Sequence, residues 1–205
     1  MALIFNTSKK DLQKAVELLK QGKVIIYPTE TSYGIGCLAS FPDSISRIYE
    51  IKKRDKNKAL IVLADSLQTI KKYAEINKEA QILVKKFMPG PLTLIVQGNE
   101  KIPVVLSKTK TIAFRISSNH VAFGLCKQTK KLLVSTSANL EGRSEIYTEK
   151  ELLAEFSEKV DAIILSGDLP KNPVSTIYDT MQKKVLRNGI VKKSEILHVL
   201  NNKFK

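Results

Sequence analysis

Residues 24–36 read Val-Ile-Ile-Tyr-Pro-Thr-Glu-Thr-Ser-Tyr-Gly-Ile-Gly and decide the fold. The β-branched run predicts a buried strand, and Pro28 ends it because proline has no backbone donor for the ladder. The hydroxyl side chains after Pro28 then lie at the carboxyl end of a strand, where open α/β sheets place ligands. Gly34 and Gly36 leave room for close backbone approach. On these residues alone, a ligand-binding loop and a polar turn between strands both remain open.

Composition indicates one ordinary globular domain, which we place over residues 1–205. The chain has 43% hydrophobic and 26% charged residues. It has no apolar run near the roughly 20 residues that span a bilayer, and its start lacks the pattern of a signal peptide. The two cysteines, Cys37 and Cys126, form no C-x-x-C pair, so we expect no disulfide framework and no thiolate metal site. These features favour a cytoplasmic protein without membrane association.

The formal net charge of +14 indicates either a polyanionic partner or a lysine-rich solvated surface. Among the 34 basic side chains only five are arginines. Arginine supplies a rigid bidentate fork for carboxylate or phosphate that lysine does not reproduce. We therefore expect anion contacts at Arg54, Arg115, Arg143 and Arg187.

Helical and strand patterns interleave along the chain, which predicts an α/β fold with a twisted mixed sheet flanked by helices. Helices are predicted from Ser8 to about residue 21, from Pro42, and over 67–73, 78–87, 119–127, 148–156 and from Ser194. Strands are predicted over 3–5, 24–27, 34–38, 59–63, 92–96, 111–116, 132–135, 162–165, 175–178 and 184–187. The last two strands follow each other without a helix, so the sheet includes antiparallel pairs.

Several polar segments adjoin strands and would converge if the sheet brings those strand ends together. The side chains of these segments supply hydroxyl groups, one amide and several cations, but no obvious general base. Such groups suit the binding and alignment of anions, as phosphoryl or nucleotidyl transfer requires. The chain has neither a P-loop nor a G-x-G-x-x-G motif, so a nucleotide would need another scaffold.

Six of these segments, taken in order, resemble the YrdC family. They are Pro28-Thr29-Glu30-Thr31-Ser32-Tyr33-Gly34, Lys52-Lys53-Arg54, Pro89-Gly90-Pro91-Leu92-Thr93, Arg115, Ser135-Thr136-Ser137-Ala138-Asn139 and Ser175-Thr176-Ile177. The resemblance covers residues 8–190 and implies the short single-domain form of the family. It also implies the activity of a threonylcarbamoyl-AMP synthase, a nucleotidyltransferase acting in tRNA modification. The implied substrates are L-threonine, bicarbonate or CO2, and ATP, and the implied products are threonylcarbamoyl-AMP and pyrophosphate.

The resemblance also implies roles for individual residues. The implied catalytic residues are Lys52 and Arg54. The implied threonine contacts are Thr31, Arg115, Ser135 and Ser175. The implied ATP contacts are Arg54, Lys58, Thr111, Ser137, Asn139, Ser144 and Arg187. Mg²⁺ would accompany ATP, without a metal site built by the protein.

Some features depart from the family pattern or stay open. Asp55 and Ala59 stand where relatives often have proline, and the alignment of Ser144 against Glu145 is ambiguous by one residue. Glu30 is given no catalytic role and is expected at most to pair with a lysine. Lys52 to Arg54 would also suit a solvated helix end.

Two other functions are compatible with the sequence. One is a non-catalytic protein that binds tRNA or double-stranded RNA through a basic surface, and the other is a regulatory nucleotide sensor. If the chain is the synthase, its product goes to a separate enzyme that transfers the threonylcarbamoyl group to tRNA.

Overall fold

The computed structural model describes residues 1–106 and 109–202. The seven helices among them are α1 (Lys9–Lys20), α2 (Pro42–Lys52), α3 (Leu67–Ile70), α4 (Lys78–Phe87), α5 (His120–Thr129), α6 (Glu149–Phe156) and α7 (Lys193–Asn201). The ten strands are β1 (Leu3–Phe5), β2 (Ile25–Pro28), β3 (Tyr33–Gly36), β4 (Ile61–Leu63), β5 (Leu92–Gln97), β6 (Thr111–Arg115), β7 (Leu133–Ser137), β8 (Ala162–Ile164), β9 (Thr176–Asp179) and β10 (Lys184–Arg187).

Side-chain caps set the starts of most helices. Ser8 accepts a hydrogen bond from the backbone N–H of Asp11 at the start of α1, and Thr148 does the same for Glu151 at α6. Asn77 and Asn119 cap α4 and α5. Pro42 occupies the first turn of α2, where its missing N–H costs nothing. The predicted helix starts are therefore confirmed to within about one residue.

The strands form one sheet in the order β1-β8-β2-β3-β7-β4-β6-β5-β9-β10. Four neighbouring pairs are parallel, namely β1–β8, β8–β2, β4–β6 and β5–β9. The other five pairs, including the β2–β3 hairpin, are antiparallel. The predicted α/β class with a mixed sheet flanked by helices is confirmed.

Apolar side chains fill the space on both faces of the sheet. On one face, α1 and α5 pack through residues such as Val16, Leu19 and Leu125 against Leu63 and Leu133. On the other face, a larger core joins the sheet to α2, α4, α6 and α7. The helices α1 and α5 cover only part of their face, and the uncovered part forms the floor of a cavity.

Candidate functional site

The cavity has a volume of about 310 Å³ and lies on the sheet face that α1 and α5 leave open. Its floor includes a row of register partners on four adjacent strands, Ser135 (β7), Ile61 (β4), Ala113 (β6) and Ile95 (β5). Ser135 and Ile61 lie two positions from Leu133 and Leu63, so strand alternation places them on the face that α5 covers farther along. The packed part of the sheet thus continues directly into the cavity floor.

The loop of the β2–β3 hairpin forms one wall. The Thr29 hydroxyl donates to the Ser32 carbonyl at 2.7 Å and accepts from the backbone N–H groups of Thr31 and Ser32, each at 3.2 Å. This one buried side chain holds the four-residue loop in shape and places Thr31 on the cavity wall. Thr29 therefore shapes a loop in which Thr29, Thr31 and Ser32 all line the cavity.

Arg115, the last residue of β6, reaches the cavity from the floor. Its Nη1 lies 3.3 Å from Oε1 of Glu30, and both side chains are nearly buried. The Ser117 hydroxyl donates to the other oxygen of Glu30. Nε of Arg115 is buried and has no hydrogen-bond partner among the described residues. Glu30 thus pairs with an arginine and not with the lysine that we considered from the sequence.

Arg187, the last residue of β10, is held against Ser175. Its Nε donates to the Ser175 carbonyl at 3.0 Å, and its Nη2 donates to the Ser175 hydroxyl at 2.8 Å. Burial and the neighbouring positive charge of Arg115 both lower the pKa of Arg187. Two guanidinium groups close enough to affect each other favour an anionic ligand between them.

The segment after α2 brings a third guanidinium to the cavity. Lys53 ends the helix in the left-handed conformation (φ 51°), and the chain then turns so that Arg54 lines the cavity. Arg54 donates from Nη2 to the Ala59 carbonyl at 3.1 Å. Its Nε is buried without a hydrogen-bond partner among the described residues.

Lys52 lies behind the cavity wall rather than on a solvated helix end. Its side chain is buried, and Nζ donates to the carbonyl of Ser137, to the carbonyl of Asn139 at 2.6 Å and to Oδ1 of Asn139 at 3.4 Å. Desolvation, together with the nearby charge of Arg54, lowers the pKa of Lys52 to about 8. The ammonium therefore ties the end of α2 to the segment that follows β7.

Glu141 joins the same two segments at the surface. One of its oxygens accepts from the backbone N–H of Asp55 at 2.9 Å, and the other accepts from the ammonium of Lys58. Its own backbone N–H donates to the Lys52 carbonyl at 2.9 Å. The 52–58 segment is thus held by contacts with residues 137–141.

Seven of the predicted site residues line this cavity, namely Thr31, Arg54, Arg115, Ser135, Ser137, Ser175 and Arg187. The other predicted residues lie elsewhere. Lys52 is behind the wall, Lys58 contacts Glu141, and Thr111 begins β6 without lining the cavity. Asn139 and Ser144 line a neighbouring cavity of about 330 Å³, whereas Glu145 lines the main one.

Sequence reasoning gave no role to four residues that shape the site. These are Glu30, Ser117, Glu145 and Thr93, the last of which contacts the Ser175 hydroxyl at 3.0 Å. Thr93 and Glu30 both lie inside segments that carried the family resemblance, which was the available signal. No pattern in the sequence marked Ser117.

Metal-binding and redox groups do not contribute to this cavity. The described residues contain no group of three or more His, Cys, Asp or Glu side chains that could hold a metal ion. Cys37 and Cys126 are buried free thiols, and burial raises the pKa of each. Among residues 1–106 and 109–202, no helix reaches the length and apolarity that crossing a lipid bilayer demands.

The chain is similar to known proteins over most of its length. The family described as "Telomere recombination" (Sua5/YciO/YrdC) matches residues 17–189. The threonylcarbamoyl-AMP synthase of Vibrio vulnificus is 32% identical over 183 residues, which cover 87% of this chain and 98% of that protein. The threonylcarbamoyl-AMP synthase of Pyrococcus abyssi is 30% identical over 98% of this chain, but the chain spans only 61% of the length of that relative.

Solved structures show the same fold. The crystal structure of P. abyssi Sua5 complexed with L-threonine superposes with a TM-score of 0.91 at 29% identity, covering 98% of this chain and 61% of that one. The crystal structure of E. coli YciO superposes with a TM-score of 0.87 at 27% identity, covering 96% of this chain and all of that one. The span matched by the family model, residues 17–189, includes every residue that lines the cavity. The chain therefore belongs to the Sua5/YciO/YrdC family.

Proposed function

We propose that this protein is an L-threonylcarbamoyladenylate synthase. The observation that carries the proposal is that three arginines and four of the predicted hydroxyl residues line one cavity, in a chain whose relatives are named threonylcarbamoyl-AMP synthases. All three arginines, Arg54, Arg115 and Arg187, line the cavity. Guanidinium groups prefer anions as ligands, so three of them around one cavity favour a negatively charged substrate.

The amino-acid substrate is assigned to the side of the cavity formed by Thr31, Arg115, Ser135 and Ser175. Arg115 would hold its carboxylate, and the hydroxyls would orient the rest of the molecule. The L-threonine complex of P. abyssi Sua5, which shares this fold, supports threonine as the amino acid.

ATP is assigned to the side formed by Arg54, Ser137 and Arg187, together with Lys58, Thr111, Asn139 and Ser144 around it. Lys58 would exchange its contact with Glu141 for a phosphate. Lys52 and Arg54 are the proposed catalytic residues. Arg54 would stabilise charge on the reacting phosphate, while Lys52 would hold the Ser137–Asn139 backbone in place.

The reaction has two balanced steps. The threonine amine and bicarbonate condense to a carbamate with loss of water, and a carbamate oxygen then attacks the α-phosphorus of ATP while pyrophosphate leaves. The main task of the protein is to hold the negative groups of ATP, of bicarbonate and of the threonine carboxylate close together, which a cavity with three arginines favours.

Mg²⁺ fits this cavity as a companion of ATP. Among the described residues that line the cavity, Glu145 is the only one with a carboxylate. Phosphate oxygens and water would therefore supply most of the ligands of the ion. When bound, the ion would neutralise phosphate charge, and the side chains named above would orient the substrates.

One assay tests the proposed function. The protein is mixed with ATP, L-threonine, bicarbonate and Mg²⁺, and the carbamoylated adenylate is detected by mass spectrometry together with released pyrophosphate. We expect both products, and neither when threonine or bicarbonate is left out. Failure to form the adenylate would reject the synthase, whereas pyrophosphate release that depends on threonine and bicarbonate would reject a mere nucleotide sensor.

The charge of +14 supports a second candidate function, the binding of tRNA or double-stranded RNA. Binding through a lysine-rich surface would weaken steeply as salt rises, because counterions are released from the nucleic acid. RNA affinity that ignores salt would reject this candidate. As a synthase, the protein would act in the cytoplasm and deliver its product to a separate enzyme that transfers the threonylcarbamoyl group.

A further inference from the structure

Thr93, on β5, contacts the candidate site without lining its cavity. It is 0% exposed, and its hydroxyl oxygen lies 3.0 Å from the hydroxyl oxygen of Ser175, which does line the cavity. Among the described residues, this is the one hydrogen-bond partner of the Thr93 hydroxyl. Either oxygen of such a pair could be the donor, so the direction has to be settled from the surroundings.

Arg187 fixes the direction of one hydrogen bond to the Ser175 hydroxyl. Its Nη2 lies 2.8 Å from the Ser175 hydroxyl oxygen, and a guanidinium group can only donate. One of the two lone pairs of Ser175 is therefore occupied by Arg187. The remaining lone pair and the proton of Ser175 are left for Thr93 and for the cavity.

The burial of Thr93 decides the direction of the hydrogen bond between Thr93 and Ser175. If Ser175 donated to Thr93, the proton of Thr93 would lie in a fully buried place without an acceptor among the described residues, which is unfavourable. If Thr93 donates to Ser175, the Thr93 hydroxyl is satisfied, and the proton of Ser175 is left for the cavity that Ser175 lines. The second arrangement is favoured because only the cavity side can receive a ligand or water.

We propose that Thr93 is a positioning residue that makes the Ser175 hydroxyl an obligate hydrogen-bond donor to the carboxylate of the amino-acid substrate, an inference that rests on the proposed function. With both of its lone pairs occupied, the Ser175 hydroxyl cannot accept a hydrogen bond from an ammonium group. Arg115 and Arg187 likewise only donate. Because Ser175, Arg115 and Arg187 all donate, the carboxylate of a zwitterionic amino acid faces them and its ammonium group does not.

The test uses four variants of the full chain: Thr93→Val, which keeps the shape but removes the hydroxyl, Thr93→Ser, which retains it, Ser175→Ala, and the double variant Thr93→Val/Ser175→Ala. KM for L-threonine, KM for ATP and kcat are measured for each, with thermal unfolding as the check on folding. We expect Thr93→Val to raise KM for threonine by about 2- to 12-fold, the worth of one hydrogen bond. KM for ATP should stay within about 2-fold, because Arg187 keeps its contact with the Ser175 carbonyl.

The double variant separates positioning from a structural role. If Thr93 acts through Ser175, adding Thr93→Val to Ser175→Ala leaves KM for threonine unchanged, whereas a general packing defect would add its effect in either background. Thr93→Ser should restore the wild-type value. A KM for threonine in Thr93→Val equal to that of the wild type, or an equal increase in both backgrounds, would overturn the proposal.

Calorimetry provides a readout that does not need turnover. L-threonine should bind Thr93→Val more weakly than the wild type, while L-threoninol, which lacks the carboxylate, should show no difference between the two. A wild-type protein that forms no adenylate yet shows this pattern would reject the proposed function and retain the inference. An active wild type without the pattern would reject the inference alone, and a wild type that neither reacts nor binds threonine would reject both.

Discussion

Glu30 and Arg115 form an ion pair in which the carboxylate, on the β2–β3 loop, lies 3.3 Å from a guanidinium at the end of β6. Both side chains are nearly buried, so the charge of each depends on the other for compensation. The pair therefore links the hairpin loop to the cavity floor, and the placement of Arg115 depends on a residue to which the sequence pointed only weakly.

Glu30→Gln should reveal this dependence in the stability of the fold. Glutamine keeps the shape and a contact with Ser117, but it leaves Arg115 uncompensated. We expect the free energy of unfolding, measured by urea denaturation, to fall by about 3 kcal/mol.

The double variant Glu30→Gln/Arg115→Met is the matched control. Removing the second charge should recover most of the loss, because a buried pair can be replaced by uncharged groups at little cost. If the loss of stability in the double variant equals the sum of the losses in the two single variants, the two charges do not interact.

Arg54→Ala should abolish adenylate formation and leave the fold intact. Among the described residues the side chain makes one hydrogen bond, at the surface, so we expect the free energy of unfolding to change by less than about 1 kcal/mol. Lys56→Ala is the control, because Lys56 is an exposed cation in the same segment and does not line the main cavity. Equal turnover in the two variants, measured by product mass, would contradict the role given to Arg54.

Lys52→Met should reduce turnover by about 100-fold, because three oxygens that position the Ser137–Asn139 segment lose their donor. KM for ATP and kcat should both worsen, and Lys53→Ala, one residue along, serves as a comparison for the helix end. Turnover within a few-fold of the wild type would show that the segment keeps its place without the ammonium.

The pH dependence of stability provides a second test of Lys52. Its pKa is lowered to about 8 in the folded state from about 10.5 in the unfolded chain. Between these values the unfolded state binds more protons, so the stability of the wild type relative to Lys52→Met should rise with pH from about 8 to 10.5 and be flat below. A difference that is constant over the whole range would mean that Lys52 titrates normally.

Gly36→Ala and Gly34→Ala should differ sharply although they lie on the same strand. A Cβ atom at Gly36 would lie 1.9 Å from the Val134 carbonyl oxygen, whereas at Gly34 its nearest neighbours would lie at 3.3 Å. We expect Gly36→Ala to cost about 3 kcal/mol or more and Gly34→Ala about 1 kcal/mol or less, by urea denaturation. Similar costs would show that β3 and β7 can separate to admit a methyl group.

The starts of the helices could be predicted from the sequence because the groups that set them are neighbours in the chain. Ser8, Pro42 and Thr148 fix helix starts through groups one to three residues away. The order of the strands could not be predicted in this way. The pairing of β5 with β9 joins residues more than 80 positions apart, and it depends on how complete faces pack rather than on any one segment.

The site was predictable where the family resemblance marked residue types, and less so where burial changes their role. Lys52 and Lys58 look alike in the sequence, yet the first is buried against backbone carbonyls and the second is exposed beside Glu141. Desolvation decides between such outcomes, and it depends on tertiary packing. The direction of the Thr93–Ser175 hydrogen bond likewise depends on Arg187, far away in the chain.

The residues that line the cavity come from widely separated parts of the sequence, from Thr29 to Arg187. During synthesis on the ribosome, the emerging polypeptide would expose the hairpin and its partners long before β10 leaves the exit tunnel. Because Arg187 is the last of the residues that line the cavity, a premature stop before it would leave the cavity without its third arginine.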